Sequence, residues 1–435
     1  MNRLIKTILL LLLCIGSASA TVTQIDSIPN FVSAVYRGGT IFKVGVLTDY
    51  YGVLFSSTTT DNIVLAVTFS CTDAGALSAN VIDTEVYVTG VGTGVGAYPA
   101  ALQIPNTNYF LGSWSHVDST WIYIFEIDTA NGTFGGEAVI AEDAIKWAGS
   151  KKHTFLQIGS SDYFALAAEN TSSSATWVKT FLIDPDTPTI LDVTVDSLDF
   201  GSTKIIDIDR VASSDFYVVS TWGGYYTPMT YSISQEDGTI AERADIKEIC
   251  VYNLPSPGNL YANTAHVNDT VFVGVSSQWI GSFSVNSLNG TISCSADSVV
   301  AIANNSAGIG PSIAANDSVT VAFYTDYWLD YDAYLASCSV NQVSGALTLA
   351  QPEIKAFSDN LTSDFFSSSR MLTRDSRKVL MVYRGASPFY GCIRTMEVTP
   401  APYWGHERNG IAYPYLNSVD GVGIADILEV DGVEK

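Results

Sequence analysis

The chain has 435 residues, of which 47% are hydrophobic and only 15% are charged. Its 44 acidic residues outnumber 21 Lys and Arg, giving a formal net charge of −23 at pH 7. A field of that sign repels phosphate backbones, so the composition argues against nucleic-acid binding and favours cations or basic partners. Dispersed acid also has a simpler role, because it keeps a secreted β-rich protein soluble.

The N-terminus has the pattern of a secretory signal peptide over residues 1–20. Arg3 and Lys6 precede the apolar run Leu9–Leu13, and Ala18-Ser19-Ala20 supplies an A-x-A cleavage site. This apolar run is too short for a stable membrane anchor. We therefore predict a secreted, extracellular or cell-surface protein, or a periplasmic one in a bacterium. A lipoprotein cysteine at Cys14 is disfavoured because Leu13 is larger than the small residue expected before it.

An imperfect repeat of about fifty residues occurs seven times between residues 40 and 400. Each copy sets an acidic or amide residue before a short apolar strand: Asp49, Asn108, Asp162, Asp215, Asp269, Asp317 and Asp375. A second strand with alternating apolar positions follows, as in Phe125-x-Ile127 and Phe181-x-Ile183, and most copies then have a glycine-containing turn. Alternation at period 2 with turns at this spacing predicts the blades of a β-propeller.

The predicted fold is all-β, a seven-bladed β-propeller of four-stranded antiparallel blades over residues 21–400. In the fourth copy the strands are expected at 204–210, 216–220, 227–233 and 239–247. The seventh copy supplies only three strands, while residues 22–36 form an extra apolar stretch. We therefore expect the N-terminal strand to complete the last blade, which removes an open sheet edge. The repeat resembles the seven-bladed propeller class in general and no particular family.

No segment after the signal peptide is apolar for long enough to span a bilayer, so no integral membrane segment is expected. Five cysteines remain after processing. Cys71 and Cys338 occupy strand positions filled elsewhere by apolar residues and should be buried. An odd number at blade-scale spacing is not a disulfide framework, although it allows one bridge. Without CxxC pairs or His/Cys clusters, the sequence predicts no metal site of the zinc type.

The loops that join the second and third strands of the blades contain the clearest functional signal. They should open at one end of the propeller, which we call the loop face, and several are rich in aromatic and polar residues. Aromatic rings stack on sugars or anchor protein partners, and nearby carboxylates accept hydroxyl hydrogen bonds. The predicted ligand-binding residues are Trp114, His116, Trp222, Tyr225, Tyr327, Trp328, Asp330, Tyr331 and Arg384.

Local packing is the alternative for these aromatic residues, in particular Trp222, Tyr225, Tyr327 and Trp328. Trp121, Trp177 and Trp279 precede the third-strand aromatic at a constant spacing and are interpreted as framework. Asp326, Asp330 and Asp332 could ligate calcium, but they lack the glycine turn of a dedicated loop, so no cofactor is predicted. The Asp or Asn that opens each repeat should form a turn by accepting backbone N–H groups.

Common catalytic signatures, such as a G-x-S-x-G elbow or an H-E-x-x-H helix, do not occur in the sequence. This favours a non-enzymatic role. A carbohydrate-active enzyme with paired carboxylates is the enzymatic alternative, although no pair can be named. Seven N-x-[ST] sequons are present, and they matter only where the host glycosylates. They begin at Asn131, Asn170, Asn268, Asn289, Asn304, Asn316 and Asn360.

Residues 401–435 form a separate C-terminal tail. Asn409-Gly410-Ile411, Asp420-Gly421-Val422 and Asp431-Gly432-Val433 repeat at regular short intervals. The pattern resembles repeats of phage structural and tail-associated proteins and of some bacterial secreted proteins. That resemblance implies an appendage used for attachment or assembly. The alternative interpretation is a flexible tail with β-turns. The sequence thus predicts a binding module for a glycan or protein. A virion or surface component that self-assembles through the tail is the structural alternative.

Overall fold

The computed structural model describes most of the chain after the predicted signal peptide. The described residues are 21–32, 35–57, 63–88, 99–116, 119–136, 139, 141–145, 150–170, 176–201, 204–222, 226–246, 262–276, 279–294, 299–301, 308–315, 319–326, 333–343, 345–357, 370–373, 378–384, 391–399, 418–419 and 422–423. All the regular elements among them are β-strands.

The first strand and three repeats comprise β1 (Thr21–Val32), β2 (Val35–Val44), β3 (Tyr50–Ser57), β4 (Ile63–Ser70), β5 (Asp83–Val88), β6 (Ala101–Gln103), β7 (Tyr109–His116), β8 (Ser119–Glu126), β9 (Ala141–Ile145), β10 (Ser150–Gln157), β11 (Tyr163–Asn170), β12 (Thr176–Asp184) and β13 (Thr189–Asp199). The fourth and fifth repeats comprise β14 (Lys204–Arg210), β15 (Phe216–Trp222), β16 (Tyr226–Ile233), β17 (Ile240–Ile246), β18 (Ala262–His266), β19 (Val271–Ser276), β20 (Trp279–Val285), β21 (Ile292–Ser293) and β22 (Val299–Ala301). The last two repeats and the tail comprise β23 (Gly308–Ala315), β24 (Val319–Asp326), β25 (Ala333–Val340), β26 (Leu347–Phe357), β27 (Arg370–Thr373), β28 (Lys378–Arg384), β29 (Gly391–Thr399), β30 (Ser418–Val419) and β31 (Val422–Gly423).

Strands β1 to β29 form six four-stranded antiparallel sheets and one five-stranded sheet, which we number as blades one to seven in repeat order, and β30 and β31 form a separate two-stranded sheet. The innermost strands β2, β6, β10, β14, β18, β23 and β27 each contact the next, and β27 contacts β2, so the ring closes. The propeller class is confirmed. Blade five differs in detail, because two short strands, β21 and β22, pair with β20 in the place of one outer strand. Its outer strand is interrupted after Ser293, at the disulfide-bonded Cys294.

The N-terminal strand completes blade seven, as predicted. β1 pairs antiparallel with β29, with Thr21 opposite Thr399 and Val22 opposite Val398. It thereby becomes the outermost strand of a sheet whose order is β1-β29-β28-β27. The pairing covers the edge that β29 would otherwise expose, because an unpaired strand presents open backbone donors and acceptors. The ends of the propeller chain are therefore held side by side in one blade.

The hydrophobic core lies between neighbouring blades. One cluster joins Val44 and Leu54 of blade one to Phe110 and Phe125 of blade two. Others span blades two and three, three and four, and five and six, and the last joins blades seven and one. The alternating apolar positions of each strand supply these faces. Each blade is thus stabilised by burial against its neighbours. A closed ring gives every blade a neighbour on both sides.

Cys71 and Cys338 are buried, as predicted, and burial raises the pKa of the Cys338 thiol to about 12. Cys71 bridges to Leu77 in the same way that Ile127 bridges to Phe134 one blade later. Cys71 therefore replaces an apolar residue in the repeat. Among the described cysteines, Cys71, Cys338 and Cys392 form no disulfide, whereas Cys294 is disulfide-bonded.

Two hydrogen bonds recur between neighbouring blades. In the first, a third-strand hydroxyl donates to the carbonyl of a glycine in the next blade's turn. These bonds join Thr68 to Gly132 (2.6 Å), Thr180 to Gly238 (2.7 Å), Thr230 to Gly290 (2.6 Å) and Ser282 to Gly345. Gly238 has φ +72°, and a Cβ there would lie 2.6 Å from the Tyr163 ring, so both conformation and space require glycine.

In the second recurring bond, an outer-strand carboxylate accepts a backbone N–H from the chain that follows this turn in the next blade. Asp83 accepts from Phe134 (3.0 Å), Asp196 from Ile240 (2.7 Å) and Asp245 from Ile292 (2.9 Å). Asp26 of β1 accepts from Leu77 of blade one at 2.8 Å. The closing strand therefore makes the same contact as the outer strand of an ordinary blade.

In the first four repeats, the Asp or Asn that opens the repeat makes a backbone contact, whereas in the fifth the equivalent bond is accepted by Thr270 instead of Asp269. The carbonyls of Asp49, Asn108, Asp162 and Asp215 accept the N–H of Cys71, Ile127, Ile183 and Ile233, respectively, at 2.8–3.1 Å. These bonds join the first turn of each blade to its third strand. Some side chains contribute further contacts, since Asn108 Oδ1 accepts from the Thr129 hydroxyl at 2.8 Å. The predicted side-chain role in the turn is filled at three of these places by a nearby hydroxyl: Thr107 accepts the N–H of Tyr109, Ser161 that of Tyr163 and Ser214 that of Phe216.

Candidate functional site

The strand order places the ends of the second strands at one end of the propeller, the loop face. His116 pairs with Ser119, Trp222 with Tyr226 and Arg384 with Gly391 at the last positions before their loops. His116, Trp222 and Arg384 thus lie on the backbone where the sequence placed them, in blades two, four and seven. Five further predicted ligand-binding residues lie outside the described part of the chain: Tyr225, Tyr327, Trp328, Asp330 and Tyr331. Of the predicted calcium ligands, Asp326 ends β24, whereas Asp330 and Asp332 lie outside the described residues.

Trp114 is the one predicted ligand-binding residue whose side chain is described. Its indole stacks on Trp121, with ring centroids 5.6 Å apart and planes inclined by 7°. Only 8% of Trp114 is exposed, and it belongs to the core cluster between blades one and two. The ring has little surface left for a ligand, so its geometry favours packing. Trp121, interpreted as framework, packs against the same cluster and is partly exposed.

Beneath this end of blade two lies a buried polar network that the sequence did not reveal. His153 of β10 is held between two serine hydroxyls of β7, with Nδ1 2.8 Å from Ser113 Oγ and Nε2 2.9 Å from Ser115 Oγ. Ser115 Oγ also lies 3.2 Å from Thr120 Oγ1. The network joins blade three to blade two. A single histidine without a spaced partner gave no signal that could have identified it.

The Ser–His geometry does not favour catalysis. Burial lowers the pKa of His153 to about 3. The imidazole is therefore neutral near pH 7, and it is a very weak base compared with the pKa near 7 that suits a general base. Ser113 and Ser115 are completely buried, so a substrate cannot reach either hydroxyl. The arrangement can orient two strands, but it cannot activate a nucleophile for an external substrate.

A second histidine links the innermost strands of blades four and five. His266 Nε2 lies 3.1 Å from Asp209 Oδ1. Burial lowers the pKa of His266, but the hydrogen bond and charge of Asp209 outweigh it, so the pKa is raised overall. The ring also lies against Phe272, with centroids 4.6 Å apart. Both residues of this pair are partly exposed, and His266 binds a proton more readily than a free histidine does. The contact between blades four and five is therefore sensitive to pH.

Within the described residues, no group of three or more His, Cys, Asp or Glu side chains has the arrangement of a metal site. No helix in the described part of the chain is long and apolar enough to cross a membrane.

No protein-family profile and no curated protein matches this chain. Among solved structures, a chain from the mitotic checkpoint complex is similar, with a TM-score of 0.51 and 12% identity over 86% of this chain and 95% of that one. The β-propeller domain of Cps50 (Swd1) from Myceliophthora thermophila has a TM-score of 0.45 and 12% identity, covering 86% and 99%. A protein from Bacteroides fragilis described as a 6-phosphogluconolactonase has a TM-score of 0.47 and 12% identity, covering 73% and 84%. At such identities the likeness concerns fold alone, and the first of these structures supports the β-propeller fold of this chain.

Proposed function

We propose that the chain is a secreted or surface-exposed propeller that binds a glycan or protein ligand through its loop face. The observation that carries this proposal is the convergence of second-strand ends from separate blades on one face, with His116, Trp222 and Arg384 at those ends. Their loops are the aromatic segments of the sequence. In the sequence these loops contain aromatic, basic and acidic residues, a combination suited to sugar or protein recognition.

Secretion is supported by two independent features. The first twenty residues have the signal-peptide pattern, and Cys294 is disulfide-bonded. Structural disulfides persist mainly in oxidising compartments, such as the extracellular space or the periplasm.

Assembly through the tail is the second candidate function. In the described part of the tail, β30 and β31 form a two-stranded antiparallel pair around Asp420-Gly421, which are typical turn residues. The repeat Asp420-Gly421-Val422 lies at this strand pair, and residues 420–421 themselves are outside the described part of the chain. An assembling tail would make the purified protein form regular oligomers or filaments, and removal of residues 401–435 would abolish them.

A binding screen of residues 21–435 tests the main proposal. We expect saturable binding to a glycan or protein array, and repeating the screen with and without calcium separates cation-dependent recognition from simple aromatic stacking. An absence of binding by correctly folded, monomeric protein would contradict the proposal. Hydrolysis of arrayed glycans would instead support the enzymatic alternative.

A further inference from the structure

The end of the propeller opposite the loop face, here called the turn face, contains several sequons. It comprises the turns between first and second strands and between third and fourth strands. Asn131 lies in the third turn of blade two, Asn289 in that of blade five, and Asn268 in the first turn of blade five. All three sequons end in threonine, and they differ in the middle residue, which is glycine after Asn131 and Asn289 and Asp269 after Asn268, and in their surroundings.

Asn289 is exposed at the tip of an ordered turn. The turn is closed by backbone bonds from Asn286 N to Thr291 O (2.9 Å) and from Gly290 N to Asn286 O (2.8 Å). Asn289 Oδ1 accepts the N–H of Thr291 at 3.0 Å. This bond fixes the carboxamide with its oxygen towards the turn, so its nitrogen is directed away from the Thr291 amide. The side chain is both exposed and oriented, as an attached glycan requires.

Asn131 has the same arrangement. It is exposed, and its Oδ1 accepts both the N–H and the hydroxyl of Thr133, at 2.9 and 2.6 Å. Its nitrogen donates to Asp128 Oδ2 at 2.7 Å within the same exposed turn. That contact is local and lies at the surface, so a glycan can displace it at little cost.

Asn268 differs because its carboxamide joins two blades. Its nitrogen donates to the carbonyl of Gln342 in blade six at 2.9 Å, and its oxygen accepts the N–H groups of Thr270 and Val271, each at 2.9 Å. A glycan on this nitrogen would have to fit between the turns of blades five and six. Glycosylation here therefore opposes the packing of the folded protein.

A second observation points to Asn289 specifically. Leu288, the residue before it, is 89% exposed at the same turn tip. Contact of a leucine side chain with water is unfavourable, and an N-glycan on the next residue provides a bulky, solubilising cover for it. Because Leu288 directly precedes Asn289, a glycan on Asn289 would lie next to this leucine.

We propose that Asn131 and Asn289 are N-glycosylation sites, that Asn268 stays unmodified, and that the glycan on Asn289 shields Leu288. This inference rests on the proposed secretion of the chain. It places carbohydrate on the turn face and leaves the loop face open for its ligand.

The test is secretion of the full chain from an N-glycosylating cell line, followed by peptide mapping after enzymatic removal of N-glycans. We expect deglycosylation marks at Asn131 and Asn289 and none at Asn268. Thr291→Ala should remove the mark at Asn289, whereas Thr291→Ser, which keeps the sequon, should retain it. Secreted protein that lacks both expected marks, or carries the mark at Asn268, would overturn the assignment and leave the proposed binding function intact. Retention of unprocessed chain in the cells would contradict secretion and the inference together.

The shielding role is tested by the oligomeric state of secreted variants. Asn289→Gln should self-associate at concentrations where the wild type is monomeric, and adding Leu288→Ser to it should restore the monomer. Asn131→Gln is the matched control, because it removes a glycan without exposing a neighbouring leucine. If Asn289→Gln stays monomeric, or if Leu288→Ser fails to rescue it, the shielding role is wrong.

Discussion

Loss of the Asp26 carboxylate should weaken the closure of the propeller by a measurable amount. Asp26 Oδ2 accepts the N–H of Leu77 at 2.8 Å, and Oδ1 accepts the N–H of Ser27 at 2.8 Å. Asp26→Ala removes a charge-assisted bond across the junction of blades seven and one and leaves a partly buried amide without that acceptor. A bond of this kind contributes about 1.5–3 kcal/mol, and partial exposure places the expected loss near the lower end.

The comparison with Asp196 makes this prediction specific to the closure. Asp196 makes the equivalent contact with Ile240 at 2.7 Å, inside the continuous chain. Urea unfolding followed by tryptophan fluorescence should show similar losses of stability for Asp26→Ala and Asp196→Ala. Asp26→Asn should lose less, because it keeps an acceptor oxygen. Hydrogen exchange at the Leu77 amide should accelerate in Asp26→Ala.

Two outcomes would refute this reasoning. If Asp26→Ala unfolds at the wild-type urea concentration while Asp196→Ala is destabilised, β1 does not form the outer strand of blade seven in solution. If the Leu77 amide exchanges at the same rate in Asp26→Ala as in the wild type, the Asp26 carboxylate is not its acceptor. Either result would mean that the Asp26 contact of the N-terminal strand does not help to close the ring of blades.

Three further predictions concern other described contacts. Because the pKa of His153 falls from 6.5 to about 3 on folding, the unfolded state binds the proton more readily, and stability should drop as the pH falls below 6.5. The linkage amounts to about 2 kcal/mol between pH 7 and pH 5, and His153→Asn, which does not titrate, should lose this part of the pH dependence in parallel urea titrations. Thr180→Val removes the donor to the Gly238 carbonyl and should cost about 1 kcal/mol, whereas Thr180→Ser should cost less; equal losses would contradict the contact. Non-reducing peptide mapping should link Cys294 to Cys250, the cysteine left after the predicted signal peptide and Cys71, Cys338 and Cys392, which form no disulfide, are excluded, and a reduced Cys294 would contradict the bridge.

The sequence predicted strands and their order well because these depend on local patterns. The four strands of blade four were expected at 204–210, 216–220, 227–233 and 239–247, and they occur at Lys204–Arg210, Phe216–Trp222, Tyr226–Ile233 and Ile240–Ile246. Alternating apolar residues and turn glycines identify such strands directly. The N-terminal closure was also predictable, since counting strands left blade seven with an open place.

Contacts between blades were not predictable from the same patterns. The partner of Asp26 is 51 residues away and that of Thr68 is 64 residues away, so neither pair has a local signature. The burial of Trp114 depends on Tyr87 and other residues of the preceding blade. His153 gave no signal because its two serine partners lie on another strand.

Binding by the loop face is most directly tested by titrating the best ligand from the array into three proteins. These are the wild type, Trp222→Ala on the loop face and Glu236→Ala on the turn face of the same blade, where Glu236 is exposed. Our account predicts that Trp222→Ala weakens binding at least tenfold, about 1.4 kcal/mol, while Glu236→Ala binds like the wild type. Equal affinity of Trp222→Ala and the wild type, or a loss confined to Glu236→Ala, would contradict recognition through the loop face.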